Sequence, residues 1–306
     1  MTSHAGTTRE GDLAFARQMR QDFKSSVASV GTPERVAEQR DFTVGAGKPE
    51  RRIPVRLYLP ANTGEETLPI VLFIHGGGFV AGDLDSYDPM LTGLANRTGA
   101  AVLSVDYRLA PENPFPAGLE DAYAVLKWAA KNASSFGADG SRIAISGDSA
   151  GGNIAAATAM LARDRHGPKL KAQLLMYPTV SNKMDTPSWK ELGETHFPTR
   201  EINSKVIDAY VPAGTSHYAP LVAPLWGDHQ KLPPALIIVG NLDPLRDEDK
   251  DYAEKMRLAG GEAQVIVYPN AQHGFVQFYQ QKDKNPDGEV ALADGARFLM
   301  EKLKSE

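Results

Sequence analysis

The sequence predicts an α/β protein in which helices flank a parallel β-sheet. Short apolar runs rich in Val, Ile and Leu alternate with segments of helical periodicity, which is the pattern of parallel strands joined by crossover helices. A turn of the form Gly-x-Ser-x-Gly joins one of these runs to a helical segment. The chain has 306 residues, 42% of them hydrophobic, which suffices for one large core with a small accessory lobe.

The predicted strands recur along the chain. Residues 53–59 alternate between apolar and polar positions, whereas residues 70–74 are apolar throughout, as in a strand that is covered on both faces. The remaining predicted strands are residues 101–105, 143–146, 170–176, 235–239 and 264–268.

The helices predicted between these strands carry start and stop signals. Asp85 or Ser86 suits the cap of a helix that ends before Gly99. Pro116 suits the first turn of a second helix, and the alanine-rich segment 149–163 predicts a third.

Two stretches do not fit this alternation. In the N-terminal arm, residues 1–45, apolar side chains from Leu13 to Phe23 would share one face of a helix, and Thr32-Pro33 would begin a second helix. A proline-rich connection also runs from about residue 181 to 234, and a connection of this length in a compact domain is usually functional.

We therefore predict a cap over the carboxyl edge of the sheet, where open α/β sheets bind their ligands. The predicted division of the chain is a cap arm at 1–45, a first part of the core at 46–180, a cap insertion at 181–215 and a second part of the core at 216–306.

The composition excludes several classes of function. The formal net charge is −5, so there is no basic surplus to neutralise phosphates, and we expect no nucleic-acid partner. Cysteine is absent, which excludes disulfides, a cysteine nucleophile and thiolate metal sites. The N-terminus is polar, and no apolar stretch approaches the ~20 residues that span a bilayer. We expect a cytoplasmic protein with no membrane partner.

Residues 147–151, Gly-Asp-Ser-Ala-Gly, carry the strongest chemical signal. A predicted strand precedes them and a predicted helix follows, and a sharp turn in that context lifts a serine hydroxyl above the sheet. Glycines on both sides remove Cβ atoms that would clash in such a turn. A turn without chemical function could carry the same residues, but the context favours Ser149 as a nucleophile.

Three consecutive glycines, which begin after His75, follow the predicted strand 70–74. Backbone N–H groups can approach a substrate oxygen closely here, and fixed donors of this kind stabilise the oxyanion of acyl transfer. We expect the N–H groups of Gly77, Gly78 and Ala150 to form this oxyanion hole. His75 is expected to hold the loop by hydrogen bonds and not to act as a base.

His273 is the expected general base. A serine on such a turn is followed along the chain first by an acid and then by a histidine, and His273 comes after the last predicted strand. The other histidines lie in the N-terminus, at the three glycines, at a helix end or in the insertion. None pairs with another at metal-ligand spacing, so we expect no metal.

Two aspartates compete for the role of the acid. Asp243 comes at the end of the predicted strand 235–239, and Pro244 would stiffen the turn after it. Asp247 fits better as a cap of the helix that begins near it. We therefore favour Asp243, with Asp247 as the alternative.

Five segments in a fixed order resemble the hormone-sensitive-lipase-like family of α/β-hydrolases, the bacterial family IV esterases, from about residue 55 to the C-terminus. They are His-Gly-Gly-Gly-Phe at 75–79, Tyr-Arg-Leu-Ala-Pro-Glu at 107–112, Gly-Asp-Ser-Ala-Gly-Gly at 147–152, Asp-Pro-Leu-Arg-Asp-Glu at 243–248 and His-Gly-Phe at 273–275. The Asp before Ser149 is typical of one subgroup of this family.

The resemblance implies an α/β-hydrolase fold with an eight-stranded, mostly parallel sheet. It also implies a helical cap made of the N-terminal arm and the insertion after the sixth strand. Carboxylic esters with short to medium acyl chains are the implied substrates, with no cofactor and often a homodimer. Segment 107–112 would be structural, and the bonds before Pro111 and Pro116 are candidates for cis peptides.

The pocket walls are less well defined by the sequence. Trp189, Phe197 and Tyr210 in the cap insertion are candidates, as are Leu245 and Phe275 beside the acid and the base. Ordinary core packing explains each of these apolar residues equally well.

Other functions compatible with the motifs are a lipase acting on long-chain triglycerides, and an amidase, lactonase or peptidase that uses the same three residues. A non-catalytic receptor is a further alternative, since plant hormone receptors of this family keep the fold but lack the catalytic histidine. His273 argues against that reading. A dehalogenase of this fold needs a carboxylate as its nucleophile, so the serine at position 149 excludes that function.

Overall fold

The computed structural model of the chain describes residues 9–27, 29–47, 51–64 and 67–304. Its strands are β1 (Glu38–Ala46), β2 (Arg51–Leu59), β3 (Leu68–Ile74), β4 (Ala101–Val105), β5 (Ala138–Asp148), β6 (Ala172–Met176), β7 (Ala235–Leu242) and β8 (Ala263–Gln272). Its α-helices are α1 (Arg9–Val27), α2 (Asp88–Thr98), α3 (Ala117–Asn132), α4 (Ala150–Asp164), α5 (Pro187–Leu192), α6 (Arg200–Tyr210), α7 (Arg246–Leu258) and α8 (Pro286–Lys302).

The strands form one eight-stranded sheet in the order β1-β2-β4-β3-β5-β6-β7-β8. The pairs β1–β2 and β2–β4 are antiparallel, and the pairs from β4–β3 to β7–β8 are parallel. The eight-stranded, mostly parallel sheet implied by the resemblance is therefore confirmed. The loops that follow β3, β5, β7 and β8 meet at its carboxyl edge.

Both faces of the sheet are covered by helices. Val71 and Phe73 of β3 pack with residues of α2 and α8, whereas Leu72 and Ile74 pack on the opposite face with residues of α3 and α4. All four side chains are fully buried. A pleated strand that is covered on both faces needs apolar residues at every position, which explains the uninterrupted apolar run in the sequence.

The first strand was not predicted. Residues 38–45 were assigned to the cap arm, but they belong to β1, which pairs with β2 at the edge of the sheet. Val44 is the buried residue of this strand, and its other residues are half-buried or exposed. An edge strand with so little apolar burial has no clear apolar signal in the sequence.

The predicted helix at Thr32-Pro33 is wrong. Residues 31–36 have no regular structure. Gln280 holds this segment in place, because its side-chain amide accepts a hydrogen bond from Thr32 N–H and donates one to Thr32 O, both at 2.8 Å.

The predicted cap at Asp85 or Ser86 is wrong, because both residues lie in a short 3-10 turn and α2 begins only at Asp88, without a side-chain cap. The helix signals at α1 and at the end of α2 agree with the structure. Helix α1 contains the apolar face from Leu13 to Phe23, and α2 ends at Gly99, whose left-handed φ of 62° is that of a glycine C-cap. The peptide bonds before Pro111 and Pro116 are cis, as is the bond before Pro198.

Helices α1 and α6 lie next to each other above the carboxyl edge of the sheet. Met19 of α1 and Val206 of α6 both approach Gly78, which follows β3. Within the described parts of the chain, no helix is long and apolar enough to cross a membrane.

Candidate active site

Ser149 lies on the sharp turn between β5 and α4, with φ of 53° and ψ of −121°. This backbone conformation is rare and strained for a residue other than glycine. A Cβ at Gly147 would clash with Gly151 O, and a Cβ at Gly151 would clash with Ile74 O. Both flanking glycines are therefore required by close backbone packing.

Ser149, His273 and Asp243 form a hydrogen-bonded chain. Ser149 Oγ is 2.8 Å from His273 Nε2, and His273 Nδ1 is 2.8 Å from Asp243 Oδ2. The second carboxylate oxygen of Asp243 accepts a hydrogen bond from Leu245 N–H at 2.9 Å. The side chains of His273 and Asp243 are 3% and 0% exposed. A proton on Nδ1 would leave the lone pair of Nε2 directed at the serine hydroxyl.

Aromatic side chains fix the imidazole of His273. The rings of Tyr177 and Phe197 lie 4.9 Å and 5.6 Å from the imidazole, measured between centroids. Phe275 packs against Tyr177 at 5.7 Å and is thus one layer behind the imidazole.

The loop that follows β3, residues 75–81 (the glycine loop), turns tightly beside Ser149. Gly77 O accepts hydrogen bonds from Val80 N–H and Ala81 N–H, at 3.2 Å and 2.9 Å. Within the described residues, the N–H groups of Gly77 and Gly78 donate no hydrogen bond, although both residues line the cavity at Ser149. They are therefore available to an oxygen bound there.

Asp148 links the nucleophile turn to the glycine loop. Its carboxylate accepts hydrogen bonds from Gly76 N–H at 2.7 Å and from the Tyr87 hydroxyl at 2.9 Å. Burial raises the pKa of Asp148 to about 6, although these hydrogen bonds act in the opposite direction. The sequence motifs do not predict this role of Asp148, and its position inside the Gly-x-Ser-x-Gly motif is the available signal.

His75 lies inside the glycine loop and is fully buried. Its Nδ1 is 2.8 Å from Gly76 O, and its ring stacks on Tyr107 at a centroid distance of 4.4 Å. Burial lowers the pKa of His75 to about 4, so the ring is neutral at pH 7 and packs as part of the loop.

A cavity of about 370 Å³ opens above Ser149. Its described lining is mostly apolar and comes from α1, the glycine loop, the α5–α6 region and the segment after His273. The side chains that form its apolar walls are Met19, Phe23, Phe79, Phe197, Pro198, Ile202, Val206 and Phe278, and its polar or charged groups include Asp22, Ser26, Asp148, Thr179, Asn203 and Gln277.

Of the predicted pocket walls, Phe197 lines this cavity. Trp189 is fully buried, and its Nε1 donates to Glu248 at 2.8 Å. The ring of Tyr210 lies behind the glycine loop and stacks on Phe79, and the Leu245 side chain is buried away from the cavity. Aromatic content alone does not distinguish a wall from a core residue in this insertion.

The arm helix supplies walls that were not named in advance. Met19 and Phe23 were expected to share a helix face, and that face points into the cavity. Their spacing of four residues was a usable signal, but a sequence cannot say which surface an amphipathic helix covers.

A second cleft, of about 810 Å³, opens on the other side of His273. It is lined by residues 270–273 and 280–285 together with Ser29, Phe275 and Phe278, and Ser149 is not part of its lining. A substrate in this larger cleft would not reach the serine hydroxyl. In the described residues, no group of three His, Asp or Glu side chains could hold a metal ion.

A family model described as the alpha/beta hydrolase fold matches residues 71–277, which include Ser149, Asp243 and His273. The chain belongs to this α/β-hydrolase family. The hormone-sensitive-lipase-like branch is the part of the family to which its motifs and relatives correspond.

Curated members of the α/β-hydrolase family are similar over most of the chain. Carboxylesterase NlhH of Mycobacterium tuberculosis is 44% identical over 230 residues, which cover 74% of this chain and 72% of that protein. Esterase LipI of Mycobacterium tuberculosis is 40% identical over 246 residues, covering 79% and 76%.

The crystal structure of EstE1, a thermophilic carboxylesterase from a metagenomic library, is also similar. It matches with a TM-score of 0.88 and 37% identity over 96% of this chain and 98% of that one.

Proposed function

We propose that the protein is a serine carboxylesterase that hydrolyses small carboxylic esters through an acyl-enzyme on Ser149. One observation carries this proposal: the hydroxyl of Ser149 lies 2.8 Å from His273 Nε2 and opens into an apolar cavity. The similarity to carboxylesterase NlhH and to esterase LipI gives independent support.

The proposed reaction has two acyl-transfer steps. His273 Nε2 takes the hydroxyl proton while Ser149 Oγ bonds to the ester carbonyl carbon, and the carbonyl electrons move to its oxygen. The resulting oxyanion accepts hydrogen bonds from the N–H groups of Gly77, Gly78 and Ala150. His273 then protonates the departing alcohol, and a water molecule repeats the sequence on the acyl-enzyme and releases the acid.

Asp243 supports the imidazole in this scheme. A carboxylate at Nδ1 keeps the proton on that nitrogen and stabilises the imidazolium that forms during each step. The hydrogen bond from Leu245 N–H fixes the other carboxylate oxygen, so the carboxylate cannot rotate away.

The cavity supports acyl chains of short to medium length. Its volume of about 370 Å³ is near the lower end of the ~300–1,000 Å³ that small-molecule sites occupy. Residues of α1 and α6 line the space above Ser149, and the two helices contact each other. We propose that they form a cap over the site. A long-chain lipase needs a broad exposed apolar surface at the entrance. Among the residues that the structure describes, Phe197 is the one large exposed hydrophobic side chain that lines this cavity.

The test is hydrolysis of p-nitrophenyl esters from acetate to palmitate by the wild type and by Ser149→Ala. We expect a maximum at short to medium chains and a loss of activity in the variant of roughly a million-fold, the scale seen when a serine nucleophile is removed. A maximum at palmitate would contradict the proposed chain length. An active Ser149→Ala protein would contradict the nucleophile, and a folded wild type without activity on any ester would contradict the esterase assignment.

A cytoplasmic location and a homodimer are also proposed. Strand β8 is an edge strand of the sheet, and such an edge can pair with a second copy. Cell fractionation tests the location, and light scattering on the purified protein tests the dimer, which a monomeric mass would contradict.

A further inference from the structure

We propose that Arg20 of α1 is a positioning residue for the oxyanion hole, so that the glycine loop has its active shape only while α1 is docked. This inference rests on the proposed esterase function, since it assigns Arg20 a part in stabilising the oxyanion.

Arg20 connects α1 to three groups of the core. Its Nε donates to Val80 O at 2.7 Å, and its Nη2 donates to Ala110 O at 3.1 Å. Its two terminal nitrogens also bind the two carboxylate oxygens of Glu112, at 2.8 Å and 2.6 Å. This paired geometry is available to arginine and not to lysine, and it fixes the orientation of the guanidinium.

The two carbonyl acceptors belong to the support of the glycine loop. Val80 closes the turn of the glycine loop, since its N–H group donates to Gly77 O. Gly77, Gly78 and Phe79 within this turn all have positive φ, at 113°, 61° and 64°. Ala110, the other acceptor, donates its own N–H to Phe79 O at 2.9 Å. Arg20 therefore holds both the end of the turn and the segment that supports its middle.

Helix α6 presses on the same loop from the other side. The point at which a Cβ of residue 78 would lie is 2.8 Å from Val206 Cγ1 and 3.7 Å from Met19 Cε. The ring of Tyr210 stacks on Phe79 with a centroid distance of 3.9 Å and an interplanar angle of 7°. The glycine loop is thus enclosed between the core and the two helices that also form the cavity walls.

This arrangement makes the shape of the oxyanion hole depend on α1. Phe79 has a positive φ that is unfavourable for a residue with a Cβ, and the adjacent glycines do not restrain the loop by themselves. Arg20 supplies polar support to this loop from outside the core. A simple anchor for α1 would affect substrate binding and stability, whereas a positioning residue affects transition-state stabilisation in particular.

The decisive comparison is Arg20→Ala against Lys24→Ala, a variant on the same helix that removes one exposed positive charge. The assay measures kcat and KM for p-nitrophenyl butyrate and the Ki of an alkyl trifluoromethyl ketone, which adds to Ser149 as an oxyanionic hemiketal. Removing an oxyanion donor outright costs ~100–1,000-fold in kcat, so a displaced loop should cost roughly 10–100-fold. We expect this loss in Arg20→Ala with KM nearly unchanged and Ki raised by the same factor, and wild-type values in Lys24→Ala.

Two further variants separate the carbonyl bond from the ion pair. Glu112→Gln keeps the bond from Arg20 to Val80 O but weakens the pair that orients the guanidinium, so we expect a kcat between that of Arg20→Ala and that of the wild type. Arg20→Lys keeps the charge but loses the Nε donor, so we expect a kcat close to that of Arg20→Ala. Thermal unfolding shows whether Arg20→Ala folds. If it does not, the kcat values of Glu112→Gln and Arg20→Lys test the inference in its place.

The inference is overturned if Arg20→Ala raises KM with kcat and Ki unchanged, or if Arg20→Lys restores wild-type kcat. An active wild type with an equally active Arg20→Ala variant would contradict only this inference. A wild type inactive on all esters would instead contradict the proposed function.

Discussion

Asp243 and Asp247 lie only four residues apart, yet the structure gives their carboxylates different partners. Asp243 faces His273, whereas Asp247 accepts hydrogen bonds from Ser188 N–H, Arg246 and Lys250. Partial burial raises the pKa of Asp247, but the cations of Arg246 and Lys250 outweigh it and lower that pKa to about 2. The sequence could only favour Asp243 as the acid, because strand and helix ends are poorly defined by residue patterns.

Asp243→Asn should lower kcat by about 10,000-fold, the effect of the corresponding change in serine proteases, because an amide favours the unproductive imidazole tautomer. Asp247→Asn is the matched control and should keep kcat while losing stability above pH 4, where the carboxylate is charged and paired. Steady-state kinetics and thermal unfolding measure both. Equal kcat in Asp243→Asn and wild type would refute the assigned role of Asp243.

Asp148 lowers the stability of the folded protein at neutral pH, while its carboxylate holds the glycine loop through Gly76 N–H. Its folded-state pKa is about 6, above its usual 3.8, so its contribution to stability is present below pH 3.8 and is lost as the pH rises through 6. We predict that Asp148→Asn raises Tm relative to the wild type more at pH 8 than at pH 4. The same variant should lower kcat, because a neutral amide holds Gly76 N–H less strongly than a carboxylate does.

Asp139→Asn provides a control of opposite sign for this prediction. Hydrogen bonds from Ser141 and Arg142 lower the pKa of Asp139, so its contribution to stability is present above pH 3.8 and is lost in acid. Its replacement should lower Tm at pH 8 and leave kcat unchanged. If Asp148→Asn lowered Tm at pH 8 in the same way, Asp148 would be a stabilising residue and the prediction would fail.

At the level of elements, α7 carries a buried carboxyl group without a partner. Asp249 is fully buried, and neither oxygen has a hydrogen bond within the described residues. Burial, with Glu248 and Asp243 nearby, raises its pKa well above the usual 3.8, which favours the protonated form in the folded protein. Its contribution to stability is therefore lost as the pH rises through that raised value.

Asp249→Asn should consequently stabilise the protein at pH 8 relative to pH 5, with activity close to that of the wild type. Thermal unfolding at the two pH values, with p-nitrophenyl butyrate activity as the functional readout, measures this. A stability difference that is the same at both pH values would mean that Asp249 is ionised in the folded protein.

The elements also show where a sequence is informative. Strands covered on both faces, such as β3 and β4, are apolar apart from Ser104 in β4 and could be located within one or two residues. Strand β1 could not, because its pairing with β2 depends on backbone hydrogen bonds that leave no apolar pattern. Its residues therefore entered the predicted arm.

For the whole molecule, the sequence predicts the architecture and the reacting groups better than the pocket. The strand, turn and helix around Ser149 are local features, and the fold brings His273 and Asp243 to it at hydrogen-bond distance. The walls depend on how α1 and α6 dock on the core, which is decided by tertiary packing. For this reason the sequence did not predict Met19 and Val206 as cavity walls. It also did not predict that Tyr210 lies behind the glycine loop.

The charges around the cavity bear on the fate of the product. Its described lining includes the carboxylates of Asp22 and Asp148 and contains no lysine or arginine. Each hydrolysis of a neutral ester leaves a carboxylic acid that ionises at neutral pH. The newly formed anion then shares a low-dielectric space with negative charges and finds no cation to retain it. Hydrolysis thus converts a neutral ester, which suits the cavity, into a carboxylate that the cavity repels. This repulsion favours rapid release of the acid product between turnovers.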